Sequence, residues 1–246
     1  MSRVVPGIWV TMLFSCPESR FISVDLPTFG RPTMATRGFA IITADGRGFC
    51  YTDSRYIESA TAVMEPLGYK VVQPEGSYPT FKTPQEVIDE CGIRVLAFED
   101  LLMPVHDYNM YREALSALLV PVGNAFEIMR EVKDEQEIEC LVKAQRIAES
   151  SLFEILPKIK AGAYEDELAA ELSYIMQKKG SEGGSFGMIF ISGTKTSMPH
   201  GKPSHKVIEE GDFVTIDFGA KCGGYGSDMT RTFAVGYATD EMKKIY

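Results

Sequence analysis

Residues 212–235 read DFVTIDFGAKCGGYGSDMTRTFAV, and this stretch decides the fold of the second half of the chain. Two runs rich in β-branched and aromatic residues flank a glycine-rich centre at residues 222–224, a pattern that predicts a β-hairpin. Each run carries one aspartate, Asp217 in the first and Asp228 in the second. Aspartate is strongly depleted from strands, so both positions need an explanation.

The position of the turn determines which side chains of the hairpin meet. With a two-residue turn at Cys222-Gly223, Asp217 lies directly opposite Asp228. Opposed residues have Cβ atoms roughly 4.5–5.5 Å apart, and like charges there are destabilising. A proton shared between the two carboxylates would offset this cost. A divalent cation between them would do the same, as a single hard ion such as Mn²⁺ or as part of a two-metal site in which one carboxylate bridges. In a shifted register, the two aspartates are ordinary charged residues on a solvent-exposed face of the hairpin.

A histidine precedes the hairpin in the short sequence Pro199-His200-Gly201, within a segment rich in turn-forming residues. We expect His200 on a loop or strand end beside the hairpin, where an imidazole can transfer protons near neutral pH. The alternative is a solvated loop histidine. We interpret His205 as exposed and incidental.

Composition restricts the class of protein. The chain has 246 residues, enough for two compact domains or one large one, and its 45% hydrophobic and 24% charged residues are ordinary for a soluble globular protein. The net charge of −9 argues against nucleic acid as a partner. No apolar stretch of about 18 residues is present to span a membrane. Five cysteines without a C-x-x-C spacing favour a reducing, cytoplasmic location.

The first half alternates short strands and helices, which is typical of an α/β domain with a mainly parallel or mixed sheet. Residues 1–36 contain four prolines and receive no domain assignment beyond a short strand at 8–14. We expect His106 on a loop before a helix. The predicted strands lie at 39–43, 48–52, 69–73, 94–98 and 119–122, and the predicted helices begin at Asp53 or Ser54, at Thr83 and at Tyr108.

The second half predicts two helices before the hairpin. The apolar pattern lapses over residues 126–133, which we interpret as a linker. Asp134 then begins a long amphipathic helix with Glu137 completing a capping box. A second helix over residues 164–179, with Gly180 as its C′ residue, precedes a strand that begins at Met188. Antiparallel strands backed by two helices form an α+β domain.

Residues 190–233, FISGTKTSMPHGKPSHKVIEEGDFVTIDFGAKCGGYGSDMTRTF, resemble the metallopeptidase superfamily of aminopeptidase P, prolidase, methionine aminopeptidase and creatinase, which has the pita-bread fold. The PHG, TIDFGA and SDMTRT motifs occur in this order and at the separations of that family. The resemblance begins at about Arg37. It implies an α/β creatinase-like N-terminal domain over residues 37–125, which mediates subunit contacts in a homodimer, and an incomplete α+β pita-bread domain over residues 134–246.

The resemblance also implies a site. Asp217 and Asp228 match the first two of five metal ligands, with Asp228 bridging two divalent ions, Mn²⁺ with Co²⁺ or Zn²⁺ as alternatives. His200 matches a residue that contacts substrate and assists proton movement. The three other ligands of the family, one histidine and two glutamates, are absent from this chain, in which Glu241 is the only glutamate after Asp228 and no histidine follows.

The resemblance thus implies a metal-dependent exopeptidase that hydrolyses Xaa-Pro bonds at the N-termini of peptides with proline at the second position, or that splits an Xaa-Pro dipeptide. Creatinase-like hydrolysis of a non-peptide C–N bond is an alternative. The N-terminal domain favours such proline-directed members over methionine aminopeptidase. Thr230 is expected to orient Asp228. Because three of the five ligands are absent, we expect the chain to be inactive alone. The alternative is a non-catalytic fragment or relative that acts as a binding or dimerisation module.

Overall fold

The computed structural model describes residues 10–13, 39–73, 82–101 and 103–245, and for residues 10–13 it describes the backbone only. These residues form two compact units, one that ends at Val132 and one that begins at Lys133. Each unit has its own hydrophobic core. No helix in the described ranges has both the length and the hydrophobicity needed to cross a lipid bilayer.

The first unit contains a six-stranded mixed sheet in the order β4-β3-β2-β1-β5-β6. Strand β1 pairs antiparallel with β2 and parallel with β5, so the predicted mixed sheet of an α/β domain is confirmed. The strands are β1 (Val10–Leu13), β2 (Phe39–Ile42), β3 (Gly48–Tyr51), β4 (Tyr69–Val72), β5 (Val95–Phe98) and β6 (Leu118–Pro121), and the helices are α1 (Ile57–Met64), α2 (Lys82–Cys91), α3 (Val105–Ala114) and α4 (Ala125–Glu131).

The structure corrects the predicted starts of two helices in this unit. Helix α3 begins at Val105 and not at Tyr108, because Pro104 has an extended conformation (ψ 142°) and takes the position before the first helical residue. His106 therefore lies in a helix and not on a loop. Helix α1 begins at Ile57 without a side-chain cap, whereas Asp53 accepts a hydrogen bond from the Arg55 N–H (2.9 Å) in a turn that precedes the helix. Residues 126–133, predicted as a linker, largely form α4.

The second unit packs two helices on one face of a three-stranded antiparallel sheet in the order β11-β8-β7. The predicted capping box is confirmed, because the Asp134 carboxylate accepts from the Glu137 N–H (2.9 Å) and the Glu137 carboxylate accepts from the Asp134 N–H (2.7 Å). The elements are α5 (Glu135–Ile155), α6 (Glu165–Lys178), β7 (Ile189–Ser192), β8 (Phe213–Phe218), β9 (Lys221–Cys222), β10 (Tyr225–Gly226), β11 (Met229–Ala234) and α7 (Asp240–Ile245).

The predicted hairpin is present, but its turn lies one residue later than expected. The turn residues are Gly223 (φ +56°) and Gly224 (φ +75°), and Cys222 pairs with Tyr225. A tight hairpin turn of this kind needs positive φ at both central residues, which glycine adopts freely and cysteine does not. The carboxylate of Glu182 accepts hydrogen bonds from both turn amides (2.6 and 3.1 Å), which further fixes the turn.

This register corrects the pairing of the two aspartates. Asp217 lies opposite Thr230, and the ladder continues to Ala220, whose carbonyl accepts from the Ser227 N–H (2.9 Å). Asp228 therefore falls opposite Gly219. The two carboxylates are diagonal neighbours and not a directly opposed pair. They still lie on the same face of the hairpin, because moving the turn by one residue changes the partner of each residue by two positions.

Gly219, between β8 and β9, is a position where only glycine fits. A Cβ built there would lie 1.7 Å from the Ser227 carbonyl oxygen and 2.2 Å from the Ser185 hydroxyl oxygen. That hydroxyl already donates to the Ser227 carbonyl (2.6 Å). The hairpin strands thus approach each other closely at the point where Asp228 lies beside Asp217. This close approach is possible because residue 219 has no side chain.

We expect Gly219→Ala to lower the free energy of unfolding by about 1–3 kcal/mol, because the added methyl group forces two backbone segments apart. Gly187→Ala is the matched control, since a Cβ at Gly187 meets nothing within 4 Å and its φ is not positive. Urea unfolding measures both. Equal stability of the two variants would show that the close approach at Gly219 does not matter.

A buried carboxylate joins α6 to the segment that follows β7. Glu165, the first residue of α6, is fully buried and pairs with the ammonium group of Lys195. It also accepts hydrogen bonds from the N–H and hydroxyl of Ser192 (2.7 and 2.9 Å) and of Ser204 (3.2 and 3.1 Å). Burial by itself raises the pKa of Glu165, but the hydrogen bonds from Lys195, Ser192 and Ser204 outweigh it and hold that pKa below its ordinary value.

Because the folded-state pKa of Glu165 is lowered, its contribution to stability is complete above the ordinary value of 4.5 and is lost as the pH falls through the folded-state pKa. Glu165→Gln should cost roughly 3 kcal/mol at pH 7, since it breaks a buried ion pair, and the difference from the wild type should shrink below pH 4.5. Urea unfolding between pH 7 and pH 3 checks this. A difference that stays constant over that range contradicts it.

Glu171→Gln provides the control on the same helix. Glu171 pairs with Lys158 near the surface, where the side chain of Glu171 is 35% exposed. Loss of such a surface pair should change the free energy of unfolding by less than about 1 kcal/mol.

Candidate functional site

One face of the three-stranded sheet, here called the open face, carries polar and at least partly exposed side chains along β8 and β11. Val214, Ile216 and Phe218 are fully buried against the helices, so the alternate residues of β8 point to the other face. On that face the hydroxyls of Thr215 and Thr232 form a cross-strand hydrogen bond (3.0 Å). This open face is where the two aspartates lie.

Asp217 is half-buried and Asp228 is exposed. As diagonal neighbours across the hairpin, their Cβ atoms are roughly 6–7 Å apart. Two unit charges at that separation repel by less than about 1 kcal/mol in water. The directly opposed pair of carboxylates, on which the expectation of a cation or a shared proton rested, is therefore absent. The two carboxylates can coexist on this face, and their separation leaves room for an ion to contact both.

Thr230 makes a contact that differs from the prediction. Its hydroxyl donates to the Asp217 carboxylate (2.9 Å), so it orients Asp217 and not Asp228. One oxygen of Asp217 is thus engaged, and the side chain is held in one orientation on the open face.

His200 lies in a turn that covers the open face of the sheet. Gly201 donates its N–H to the Met198 carbonyl (3.1 Å), which closes a four-residue turn with His200 exposed at its third position. A Cβ at Gly201 would lie 3.1 Å from the Cδ1 atom of Ile191. Ile191 pairs with Thr215 and therefore shares the face of Asp217. His200 thus lies on a loop, as predicted, and this loop packs on the side of the sheet that carries the aspartates.

His205 is exposed, as expected, but it does have contacts. Its ring stacks on Tyr164 (4.1 Å between centroids), and its Nδ1 lies 3.2 Å from the Asp166 carboxylate. These contacts are at the beginning of α6, so His205 belongs to the support of the loop.

The donor set fits a hard divalent cation in type, since carboxylate oxygens are the ligands that such ions prefer. Asp217 and Asp228 supply two such groups. Within the described part of the chain, no group of three or more histidine, cysteine, aspartate or glutamate side chains is placed to hold a metal ion. A divalent ion bound here would have these two carboxylates as its only acidic ligands from the described residues.

An apolar pocket of about 400 Å³ lies near the end of β11. It contains none of the three candidate site residues, and Lys243 is its only charged group, so we assign it no chemical role. Its lining residues are Phe213, Thr232, Phe233, Ala234, Ala238, Met242 and Lys243.

The sequence analysis missed Glu165 and Lys195 as parts of the site's support. A glutamate in the first turn of a helix is common at the surface, where it interacts favourably with the helix dipole. The only sequence signal for its burial is the density of serine and lysine residues in the segment from Ser192 to Lys206, and that composition also suits an exposed loop.

Comparison with known families matches both units. Residues 10–132 match the creatinase/prolidase N-terminal domain, and residues 139–246 match metallopeptidase family M24. The first match begins upstream of Arg37, where the resemblance was expected to start.

Among curated relatives, an uncharacterized peptidase of Bacillus subtilis, YqhT, is 40% identical over 210 residues, which cover 85% of this chain and 58% of that protein. An Xaa-Pro dipeptidase of Pyrococcus horikoshii is 35% identical over 77% of this chain and 55% of its own length. The chain thus spans little more than half the length of these relatives.

Solved structures show the same architecture. The Xaa-Pro dipeptidase from Bacillus anthracis superposes with a TM-score of 0.82 at 36% identity, over 96% of this chain and 63% of that one. The X-Pro aminopeptidase from Thermotoga maritima superposes with a TM-score of 0.77 at 28% identity, over 97% and 64%. The chain belongs to metallopeptidase family M24 and combines a creatinase/prolidase N-terminal domain with the first part of a pita-bread domain.

Proposed function

We propose that this chain takes part in metal-dependent hydrolysis of Xaa-Pro bonds at the N-termini of peptides. The observation that carries the proposal is the placement of Asp217 and Asp228 on one open sheet face, with the His200 loop over the same face. Relatives named as Xaa-Pro dipeptidases and an X-Pro aminopeptidase support the substrate class, a peptide with proline at the second position.

Each residue has a defined part in this proposal. Asp217 and Asp228 would hold a divalent ion through carboxylate oxygens, and Thr230 keeps Asp217 in orientation. A bound divalent ion supplies positive charge that polarises the scissile carbonyl and lowers the pKa of water. His200, exposed on its turn, donates a hydrogen bond to the substrate and moves a proton to or from it.

Further parts of the proposal concern the ion, the assembly and the location. Oxygen ligands suit Mn²⁺, with Co²⁺ or Zn²⁺ as alternatives. None of the cysteines in the described ranges forms a disulfide, which agrees with a reducing, cytoplasmic location. A homodimer formed through the N-terminal unit stays a prediction from the family resemblance.

A second candidate function is a non-catalytic module for binding or dimerisation. The observation that favours it is the ligand count, because the described residues bring only two carboxylates together. With this ligand set we expect weak metal binding and little turnover by the chain alone. The two candidates differ in whether the metal-loaded chain hydrolyses an Xaa-Pro bond.

We expect the chain to bind Mn²⁺ weakly, and Asp217→Asn and Asp228→Asn each to weaken that binding by at least about tenfold, because removal of even an outer contact to a metal ligand costs that much. Isothermal titration calorimetry measures the affinity. Asp240→Asn is the control, since Asp240 is an exposed carboxylate at the beginning of α7. Equal weakening in all three variants would assign the binding to general surface charge.

We expect any hydrolysis by the Mn²⁺-loaded chain to be selective for an Xaa-Pro dipeptide over the same dipeptide with alanine. His200→Gln should lower kcat by about 100-fold with metal affinity unchanged, since positioned proton transfer contributes at least that factor. His106→Gln, which alters an exposed histidine of the first unit, should leave kcat within about twofold. Metal binding without hydrolysis by the wild type would favour the non-catalytic module.

A further inference from the structure

The segment between Ser192 and Ser204 carries His200, and both of its ends are attached to one carboxylate. Glu165 Oε1 accepts from the N–H and the hydroxyl of Ser192, and Oε2 accepts from the N–H and the hydroxyl of Ser204. A single buried side chain therefore closes this segment into a loop.

Lys195 adds contacts across the same loop. Besides its ion pair with Glu165, its ammonium group donates to the Lys202 carbonyl (3.2 Å) and to the Ser204 hydroxyl (2.7 Å). Lys195 precedes His200 and its two partners follow it, so these bonds join the limbs of the loop on either side of the histidine. The backbone N–H of Asp166 also donates to the Ser204 carbonyl (3.2 Å), which attaches the returning limb to the first turn of α6.

The sheet side of the loop is equally constrained. Gly201 packs on Ile191, which is 1% exposed, so closely that a Cβ at residue 201 would make an unusually tight contact of 3.1 Å. His200 is thus held between a packed glycine and a network that ends in a buried charge.

A buried ion pair of this kind gains little stability over apolar residues of similar size, because desolvation consumes most of the attraction. What a fully hydrogen-bonded buried charge does supply is a single geometry, since any other arrangement leaves polar groups without partners.

We propose that Glu165 is a positioning residue for His200. Together with Lys195 and Ser204, its carboxylate fixes the loop so that the imidazole stays over the sheet face of Asp217 and Asp228. The part of this inference that concerns substrate rests on the proposed function, whereas the part that concerns the loop rests on the contacts alone.

The test follows the three histidine rings of the chain by NMR, with His200→Gln used to assign the His200 signals. Lys195→Met, Ser204→Ala and Glu165→Gln should each shift or broaden the His200 ring resonances. They should also speed hydrogen exchange of the Gly201 amide by roughly tenfold, as loss of a hydrogen bond allows. His106, in the first unit, is the internal reference. Glu171→Gln, on the same helix, should leave the His200 signals unchanged.

If Glu165 only stabilises the fold, the variants should have lower global stability, whereas the His200 ring resonances and the hydrogen exchange of the Gly201 amide should be as in the wild type. That outcome in folded Lys195→Met and Ser204→Ala overturns the proposal, and these two milder variants decide the matter if Glu165→Gln does not fold. With an Xaa-Pro dipeptide, kcat should fall about tenfold in Lys195→Met while KM stays within about twofold. Absence of turnover in the wild type favours the non-catalytic module over the proposed function, and the NMR comparison still decides the role of Glu165.

Discussion

The register of the β8–β11 hairpin is the constraint on which the candidate site depends. It is set by two glycines at positive φ, Gly223 and Gly224, whose amides are held by the Glu182 carboxylate. Because side chains alternate along a strand, a slip of one residue would send one aspartate to the helix side of the sheet. Gly219 is a second constraint on the register, because the strands approach too closely at this position for any side chain.

The same unit positions its loop by a different physical means. The hairpin relies on backbone geometry, whereas the His200 segment relies on a buried charge whose every partner lies in that segment or next to it. The hairpin and the His200 loop meet at one face of the sheet. Ile191, which contacts Gly201, pairs with Thr215 on the adjacent strand, and Thr215 shares that face with Asp217. The helix layer of α5 and α6 covers the opposite face, so the polar groups remain accessible.

Much of the fold could be predicted from the sequence, because its signals are local. The capping box of Asp134 and Glu137 gives the start of α5, and Gly180 (φ +96°) gives the end of α6. The exact register could not be predicted, since Cys222-Gly223 and Gly223-Gly224 differ by one residue and only backbone angles separate them. Placement of Glu165 was also beyond prediction, because its burial depends on Ser192 and Ser204, which are distant in sequence.

The proposed function requires that Asp217 and Asp228 share a cation, although their diagonal placement does not by itself demand one. Crystals grown with Mn²⁺ and measured near the manganese absorption edge test this directly. The account predicts an anomalous peak on the open face, within coordination distance of a carboxylate oxygen from each aspartate. A fully occupied peak elsewhere, or one that contacts only one of the two carboxylates, would contradict the account.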